Sequence, residues 1–366
     1  MIKTEETKEP SESPATFLSL PDDIVFNCLA RVSTFSRPTL SLVSKDFRSF
    51  NASPELEATR SRNGITEDYL YVCLDLNKNN PNPNPNPSWF TVSRVPKQLK
   101  LKPIPSLPFQ HPEASTVVSL GLEIYIIGGL VNGIRSSRVF LLDSQSHQWR
   151  FLPNMRQPRV TAAADVINGK IYVVGGCMSK NIQDWGEIYD PKTQTWEPML
   201  PPIYLATQRT VVPGKLVMGG KVYDLITDSI LNLNTNNCFV ENAFRLMSYS
   251  HHSLFWNDPK EDLVWRFVQG LEQLSKYPNF FNPHNSLAYS GRGRRVTVWW
   301  KSLVIHSRDH HCTEKCKTEI WCAEISFARR GLKELWGSVE WAESVFTFDG
   351  CDPSSDFLLH SAIVTH

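Results

Sequence analysis

Apolar and polar residues follow two different periods in this chain. Between residues 16 and 62, apolar residues recur at intervals of three and four, which is the spacing of one face of an α-helix. From residue 66 onward, short runs rich in Val, Ile, Tyr and Trp alternate with Gly, Asn, Asp and Pro, which is typical of β-strands joined by turns. The pattern predicts a small all-α unit followed by a large all-β unit.

Two stretches of the all-β part end in the same way, IYIIGG at Ile124–Gly129 and IYVVGG at Ile171–Gly176. Their offset is 47 residues (171 minus 124). The same offset separates an Asp and a Trp downstream of each stretch, in the pairs Asp143 and Asp190, and Trp149 and Trp196. Three landmarks with one offset define an internal repeat, and a period of about 20 to 50 residues is typical of repeat folds such as propellers.

The second copy predicts four antiparallel strands, at 161–167, 170–174, 187–189 and 195–199. Asn168-Gly169 lies between the first two strands and favours a tight hairpin turn in which both residues have positive φ. Gly175-Gly176 ends the second strand and lets neighbouring backbones approach closely. Four short strands in one repeat are the content of a propeller blade, and we expect the Trp to fill space between blades.

Weaker copies flank these two. A third has Gly219-Gly220 as its double glycine and Cys238 where the first two copies place Trp. The candidate landmarks for the fourth strand of each blade are Trp89, Trp149, Trp196, Cys238, Trp265 and Trp336. They predict six uneven blades. Because only 27 residues separate Cys238 from Trp265, five blades and a re-paired closure are alternatives.

The repeat resembles the kelch repeat, whose marks are a double glycine after a strand, an aromatic residue before an Asp, and a Trp six residues past that Asp. Gly175-Gly176, Tyr189, Asp190 and Trp196 carry these marks in the second copy. The resemblance extends unevenly from Tyr69 to Phe348. It implies a kelch propeller over 66–348, with its best repeats at 114–160, 161–207 and 208–243, followed by a C-terminal tail at 349–366 whose use is not predicted.

The helical segment at 16–62 follows a polar tail at 1–15 that we expect to be disordered. Ser19 is the expected N-cap of the first helix, with Pro21 in the first turn. A second helix is expected to start near Pro38, and a third at Ser53-Pro54. The apolar stripes of the first two helices are Ile24, Val25, Cys28, Leu29 and Val32, and Leu40, Val43, Phe47 and Phe50. Three short helices cannot bury all of these side chains, so a partner is expected.

This segment closely resembles the F-box. The resemblance rests on Leu20-Pro21-x-Asp23, the Cys28-Leu29 pair, the run from Leu40 to Arg48, and Ser53-Pro54-x-Leu56. Phe47 stands where many F-boxes have Trp, which keeps an aromatic anchor. An F-box followed by kelch repeats is similar to the large plant F-box/kelch family.

The resemblance implies that the F-box binds the Skp adaptor, and through it the cullin and RING subunits, of an SCF-type ubiquitin ligase. The propeller would recruit an unidentified target protein for ubiquitination. The residues expected to face the adaptor are Leu20, Pro21, Ile24, Cys28, Leu29, Leu40, Val43 and Phe47. We expect about half of them to make contact, because the others must hold the helices together. Leu20 and Pro21 are the strongest candidates, since they precede the first helix.

One face of the predicted blades is a second candidate surface for protein binding. In each four-stranded blade, the loop between the second and third strands and the loop that leads to the next blade emerge on this same face. Its candidate residues are Asn132, Arg135, Arg138, Arg156, Arg159, Asn181, Gln183, Asp184, Trp185 and Arg209. Arg and Trp are frequent binding anchors. A structural role is the alternative: Arg159 and Arg209 would bond to neighbouring backbone, and Trp185 would pack beneath its loop.

Composition narrows the partners and the compartment. The formal net charge is +1, from 38 Lys and Arg against 37 Asp and Glu, so a nucleic-acid partner is not expected. Eight Cys without framework spacing, and a polar N-terminus unlike a signal peptide, predict free thiols in a reducing compartment, the cytoplasm and/or the nucleus. No apolar run approaches the ~18 residues of a membrane span, so a soluble chain without a membrane partner is expected.

Three local signals suggest chemistry and are interpreted as structural. The candidate zinc ligands are His306, His310, His311, Cys312, Cys316 and Cys322. Structural zinc sites usually have two ligand pairs, and only Cys312-x3-Cys316 is present, so a loop with incidental thiols is preferred. The surplus of Lys and Arg from Arg292 to Lys333 is expected on a solvated hairpin, and the Asn-Pro run at 79–88 is expected to be a stiff insertion.

No phosphate loop, Gly-x-Ser-x-Gly or HExxH motif is present, so no catalytic residue, cofactor or metal is predicted. The leading hypothesis is a non-enzymatic substrate receptor of a ubiquitin ligase. The alternatives are an adaptor-bound interaction scaffold without a role in degradation, and a ligand-binding propeller.

Overall fold

The chain divides into two compact units, Met1–Glu67 and Asp68–His366. The computed structural model describes residues 17–76, 86–95, 98–179, 184–199, 215–218, 221–224, 229–231, 237–240, 244–249, 253–258, 264–278, 280, 285–289, 294–306, 315–352 and 357–365. The expected tail at 1–15, most of the Asn-Pro run and Gly219-Gly220 lie outside these residues. Within them, no helix is both long and apolar enough to cross a membrane.

The first unit, here the helical unit, is built from three helices of eight or nine residues and one single-turn helix. They are α1 (Asp22–Ala30), the single-turn α2 (Arg37–Leu40), α3 (Lys45–Ala52) and α4 (Pro54–Arg62). Helices α1 and α4 pack together. Their small core consists of Val25, Leu29, Ala30 and Leu56, with half-buried apolar side chains around it.

Two predicted details of these helices are wrong. Ser19 lies in a 3-10 turn, and Pro21 occupies the N-cap position of α1, where no side chain accepts a helical N–H. The expected second helix is divided, because residues 41–44 leave the helix and Ser44 begins α3 as its N-cap. The Ser44 hydroxyl accepts a hydrogen bond from the Phe47 N–H at 3.2 Å. A serine that satisfies a first-turn N–H favours a new helix over continuation of the old one. The predicted start of α4 after Ser53 is confirmed.

The second unit, here the β unit, contains strands of two to fifteen residues. In chain order they are β1 (Asp68–Leu74), β2 (Ser88–Val95), β3 (Gln98–Pro103), β4 (Thr116–Leu120), β5 (Glu123–Ile127), β6 (Leu130–Val131), β7 (Ile134–Arg135), β8 (Val139–Asp143), β9 (Gln148–Leu152), β10 (Ala163–Ile167), β11 (Lys170–Val174), β12 (Gly186–Asp190), β13 (Thr195–Pro198), β14 (Lys215–Met218), β15 (Lys221–Asp224), β16 (Ser229–Leu231), β17 (Asn237–Val240), β18 (Phe244–Tyr249), β19 (Ser253–Asn257), β20 (Arg266–Phe267), β21 (Ser286–Tyr289), β22 (Arg295–His306), β23 (Lys315–Arg329), β24 (Leu335–Asp349) and β25 (Leu358–Thr365).

In the described residues these strands form six antiparallel sheets of three or four strands and one separate hairpin, β6-β7. The sheet orders are β25-β1-β2-β3, β4-β5-β8-β9, β10-β11-β12-β13, β14-β15-β16, β17-β18-β19-β20 and β21-β22-β23-β24. The first strands of successive sheets lie against one another: β25 against β4, β4 against β10, β10 against β14, β17 against β21, and β21 against β25.

The last strand of the chain belongs to the first sheet. Strand β25 pairs with β1 from Asp68 opposite Thr365 to Leu74 opposite Leu358. The segment after Phe348 is therefore part of the β unit, beyond the end that the repeats predicted.

The repeat of 47 residues corresponds to two equivalent sheets. Strand β11 spans the predicted residues, and Asn168 and Gly169 have φ of 51° and 73°, so the predicted turn is confirmed. Trp149 and Trp196 lie on the fourth strands, β9 and β13. Their indole N–H groups donate to the carbonyl oxygens of Pro105 and Pro153, each at 2.8 Å. Each Trp thus contacts the connection that follows the preceding sheet, as expected of a residue between neighbours.

The double glycines allow the predicted close approach of backbones. Gly128 and Gly176 have φ of +64° and +72°. A methyl group on Gly128 would lie 2.5 Å from the carbonyl oxygen of Arg159, and one on Gly176 would lie 2.4 Å from that of Val160. Both positions therefore require glycine for backbone conformation and for space.

Two of the landmark assignments are wrong. Trp89 lies on the third strand of its sheet, and Cys238 lies on β17, which pairs with β18 and so begins a sheet. Trp265 directly precedes β20, the fourth strand of that same sheet. Cys238 and Trp265 are only 27 residues apart because they flank one sheet. Spacing alone does not show whether a strand ends one sheet or begins the next, since that depends on its hydrogen-bond partner.

The expectation that all cysteines are free thiols is also wrong. Cys316 and Cys351 form a disulfide, with their Cα atoms 5.4 Å apart. Antiparallel pairing of β23 and β24 brings Lys317 opposite Asp349, which places the two cysteines together despite a sequence separation of 35.

Candidate protein-interaction surfaces

Buried polar contacts fix the loop that follows α1 in the helical unit. Arg60 of α4 is buried, and its Nη1 donates to the carbonyl oxygens of Ala30 at 2.7 Å and Val32 at 3.1 Å. The Glu67 carboxylate accepts hydrogen bonds from the Thr34 N–H at 3.0 Å and the Thr34 hydroxyl at 2.7 Å. A buried cation that bonds to these carbonyls ties α4 to the end of α1, so the surface beyond them has a rigid support.

The turn at 41–44 is held in a similar way. The Asn51 side-chain amide donates to the carbonyl oxygen of Arg37 and to the Ser41 hydroxyl, each at 3.1 Å. Phe17 stacks on Phe47 with ring centroids 5.6 Å apart, which joins the segment before α1 to the first turn of α3. The exposed apolar residues lie on two segments near this stack, residues 20–24 and the turn at 41–44.

We use the term apolar patch for the exposed apolar residues of these two segments: Leu20, Pro21, Ile24, Leu42 and Val43. Leu20 and Ile24 are 39% and 43% exposed, and Leu42 and Val43 are 64% exposed or more. Proteins that act as monomers rarely expose several large aliphatic side chains on one small unit, so these residues are suited to contact with another protein.

The structure separates the eight predicted adaptor-facing residues into three groups: exposed, buried and half-buried. Leu20, Pro21, Ile24, Cys28 and Val43 are exposed. Leu29 is 4% exposed and belongs to the core, so it is not available to a partner. Leu40 and Phe47 are half-buried and pack against the same core.

Sequence reasoning missed two exposed apolar residues beside the predicted ones. Among the described side chains of the helical unit, Leu42 is the most exposed large apolar one at 79%, and Phe17 is 37% exposed. Leu42 was overlooked because a continuous second helix would place it off the apolar stripe. The signal that could have found it is Ser44, a strong N-cap residue directly after Leu42-Val43.

On the β unit, Arg159 is a framework residue. It is 1% exposed, and its Nε pairs with the Glu187 carboxylate at 2.9 Å. Its Nη atoms donate to the carbonyl oxygens of Gly175, Trp185 and Asp184 at 2.7, 3.1 and 2.6 Å. The guanidinium therefore links the start of the third sheet to its β11–β12 connection, and the structural alternative holds for this residue.

Trp185 also has the structural role. It is buried against Ala163, Val174 and Met199, beneath its loop. Arg135 donates from Nη1 to the carbonyl oxygen of Gly176 at 2.7 Å, which fixes the β6-β7 hairpin against the next sheet. Asn181, Gln183 and Arg209 lie outside the described residues.

What remains exposed on this face is a mixed surface on the loops around β6-β7 and after β9 and β11. Asn132, Arg138 and Arg156 are exposed, and Ile134 and Met178 are exposed apolar side chains on the same loops. Cationic and flexible apolar groups on rigidly anchored loops are suited to contact with another protein.

The part of the chain that the structure describes contains no candidate metal site. No three His, Cys, Asp or Glu side chains there are close enough to share a metal ion. Cys316 is bonded to Cys351, while His310, His311 and Cys312 fall outside the described residues.

The chain is thus a two-unit interaction protein, with a short helical unit that exposes an apolar patch and a large antiparallel repeat unit. The F-box domain model matches residues 17–54, and the FKB95 kelch-repeats domain model matches residues 89–346. The second match alone covers more than half of the chain.

Relatives match over both units. The F-box/kelch-repeat protein At5g03000 of Arabidopsis thaliana is 55% identical, and the alignment covers 99% of this chain and 92% of the relative. The F-box/kelch-repeat protein At3g46050 of the same plant is also 55% identical, and the alignment covers both chains completely. The F-box/kelch-repeat protein At5g03020 of the same plant is 49% identical over 98% of both chains. The chain belongs to the F-box/kelch-repeat family.

Proposed function

We propose that this protein is a substrate-receptor subunit of an SCF-type cullin–RING ubiquitin ligase. The observation that carries the proposal is the apolar patch on a helical unit that matches the F-box domain. In this account the patch binds a Skp-family adaptor, and the β unit captures the target protein.

The adaptor would be recognised mainly by burial of Leu20, Ile24, Leu42 and Val43. Fully burying one such side chain contributes about 1.5–3 kcal/mol, and these four are partly buried already, so together they can supply several kcal/mol of binding free energy. Cys28 and Pro21 would enlarge the same contact. Leu29, Leu40 and Phe47 would act indirectly, because they hold α1 and α3 in position.

For the β unit we propose a kelch propeller of six blades. The six sheets provide the blades, and the side-by-side first strands, with β25 lying against both β4 and β21, support a closed ring. Pairing of β25 with β1 would join the two ends of the β unit within one blade.

The target protein would bind the mixed surface around Asn132, Ile134, Arg138, Arg156 and Met178. The chain would lend no catalytic side chain to ubiquitin transfer. Its contribution would be proximity, because a captured protein near the conjugating enzyme has a high effective concentration. We place this activity in the cytoplasm and/or the nucleus.

Co-expression with a Skp-family adaptor tests the first half of the proposal. The wild-type full chain should elute with the adaptor as a one-to-one complex in size-exclusion chromatography. Leu42→Asp/Val43→Asp should elute alone, while Leu332→Asp, at a position 75% exposed on the β unit, should bind as the wild type does. If the patch variant still binds, the assigned contact is wrong.

Protein turnover separates the receptor from a scaffold without a role in degradation. Proteins captured by the wild-type chain in plant cells should accumulate when the chain is replaced by the patch variant. If the wild-type chain binds the adaptor but the captured proteins have the same lifetime with the wild-type chain and with the patch variant, the scaffold is favoured.

A further inference from the structure

The disulfide between Cys316 and Cys351 lies at the end of the β23–β24 hairpin. Cys316 is on β23, and Cys351 is the second residue after β24. Two hydrogen bonds support this end: the Gly350 N–H donates to the Cys316 carbonyl at 2.9 Å, and the Thr318 hydroxyl donates to the Gly350 carbonyl at 2.6 Å. Cys351 is exposed and Cys316 is half-buried, so a small reagent can reach the bond.

The residues after Cys351 lead directly into β25. Asp352 is buried and pairs with Lys301 of β22, and its N–H donates to the Thr318 hydroxyl at 3.0 Å. The Lys301 ammonium lies 4.9 Å from the ring centre of Phe357, which is itself buried. The Phe357 carbonyl accepts a hydrogen bond from the Asp75 N–H at 2.8 Å, just after β1. The connection to the last strand is thus anchored at the disulfide, the ion pair and Phe357.

We propose that Cys316 and Cys351 form a reversible thiol–disulfide exchange site whose oxidation state controls how firmly β25 is held in the first sheet. The ligands of the site are small-molecule disulfides and dithiols. The bond fixes one end of the connection to β25. Opening it leaves the described residues of that connection, Asp352 and Phe357, held by their own contacts, which include the ion pair with Lys301. Detachment of β25 would then expose the edge of β1, the strand at which the two ends of the β unit meet.

The exchange balances without any further reactant. In oxidation, the Cys351 thiolate attacks one sulfur of a small disulfide RSSR and releases one thiolate RS⁻. The Cys316 thiolate then attacks the Cys351 sulfur of the mixed disulfide and releases the second RS⁻. The two protons lost by the cysteines go to the two RS⁻, so the dithiol is oxidised by two electrons and RSSR is reduced to two RSH. A dithiol reverses both steps.

The other cysteines whose side chains the structure describes lack this combination of access and a disulfide partner. Cys73 and Cys322 are fully buried. Cys177 is half-buried, and its thiol contacts the Asp184 carbonyl at 3.4 Å. Cys28, on the helical unit, is exposed but is a free thiol. Reactivity follows exposure of the thiolate, and closure of a disulfide also needs a second cysteine within reach, so Cys316 and Cys351 are the described pair at which reversible exchange should occur.

Mass spectrometry and amide hydrogen exchange on the purified full chain test the proposal. The chain is reduced with dithiothreitol, freed of reductant and treated with oxidised glutathione. Peptide mapping should show the Cys316–Cys351 crosslink and little lasting glutathione on Cys351. Amides of β25 and β1 should then exchange about tenfold more slowly than in the reduced chain, whereas those of β10 and β11 should be unchanged.

Two variants make the comparison specific. In Cys351→Ser, the amides of β25 and β1 should exchange as fast as in the reduced wild-type chain, with or without oxidised glutathione. In Cys177→Ser, oxidation should slow this amide exchange as it does in the wild type. A lasting mixed disulfide on Cys351, or equal exchange of β25 in the oxidised and reduced wild-type chain, would overturn the proposal. The comparison of the oxidised and reduced wild-type chain tests the proposal even if a variant fails to fold.

Discussion

Replacing Arg159 by Met removes the charge that compensates Glu187 while keeping a side chain of similar length. Both side chains of the pair are 1% exposed, so the variant leaves a buried carboxylate without its cation. Removing one partner of a buried ion pair typically costs about 3–5 kcal/mol. Glu187 still accepts hydrogen bonds from the Arg156 N–H at 2.7 Å and the Gln157 N–H at 3.4 Å, so we expect the lower end, about 3 kcal/mol.

Urea unfolding followed by tryptophan fluorescence measures this loss. Because repeat sheets can open separately, amide exchange should also be followed, and faster exchange is expected first in β10–β13. Arg138→Met is the matched control, since Arg138 is exposed near the same loops and its loss should change stability by less than about 0.5 kcal/mol.

A second variant tests the cause of the effect. Arg159→Met/Glu187→Gln should recover about 1–2 kcal/mol relative to Arg159→Met alone, because a neutral amide needs no counter-charge. If Arg159→Met and Arg138→Met unfold at the same urea concentration, the reasoning fails, and Arg159 would have to be reconsidered as a recognition residue.

Three further predictions concern the β unit. Gly133→Ala should lower the free energy of unfolding by about 1 kcal/mol, because φ is +75° but no atom lies near the added methyl group. Gly176→Ala should lower it by at least about 2 kcal/mol more, because its methyl group would meet the Val160 carbonyl oxygen. Equal unfolding midpoints for the two variants would contradict this. Trp196→Phe should lose about 1 kcal/mol with its hydrogen bond to Pro153, and an unchanged thermal midpoint would show that the bond contributes nothing. Burial lowers the pKa of His111 from 6.5 to about 4. Between these two values the unfolded chain binds a proton at His111 and the folded chain does not. The free energy of unfolding should therefore fall by about 3 kcal/mol as the pH is lowered from 6.5 to 4. His111→Asn should flatten this part of the pH profile, and a profile unchanged by the substitution would contradict the assignment.

Local turn chemistry made much of the β unit predictable. Asn168-Gly169 defines its own hairpin, and the Asp-to-Trp spacing locates the third and fourth strands where Trp149 and Trp196 are present. The spacing failed at Cys238, because membership of a sheet depends on a hydrogen-bond partner elsewhere in the chain. The pairing of β25 with β1 and of Cys316 with Cys351 could not be predicted for the same reason.

The helical unit shows a different limit. Periodicity identified the apolar residues of α1 but could not separate Leu29, which is buried, from Ile24, which is exposed. Both lie on an apolar stripe, and only the direction of α4 decides which one is covered. Leu42 was missed because Ser44 interrupts the helix, so that the turn, and not a helix face, presents the side chain.

Direct binding to a Skp-family adaptor tests the central claim most simply. Isothermal titration of the full chain with the purified adaptor should give a one-to-one complex. The variant Leu20→Ala/Pro21→Ala, with an unchanged thermal midpoint, should bind at least about tenfold more weakly, as expected for contact residues. Wild-type affinity in this variant, or no binding by the folded wild-type chain, would contradict the assignment of the apolar patch to the adaptor.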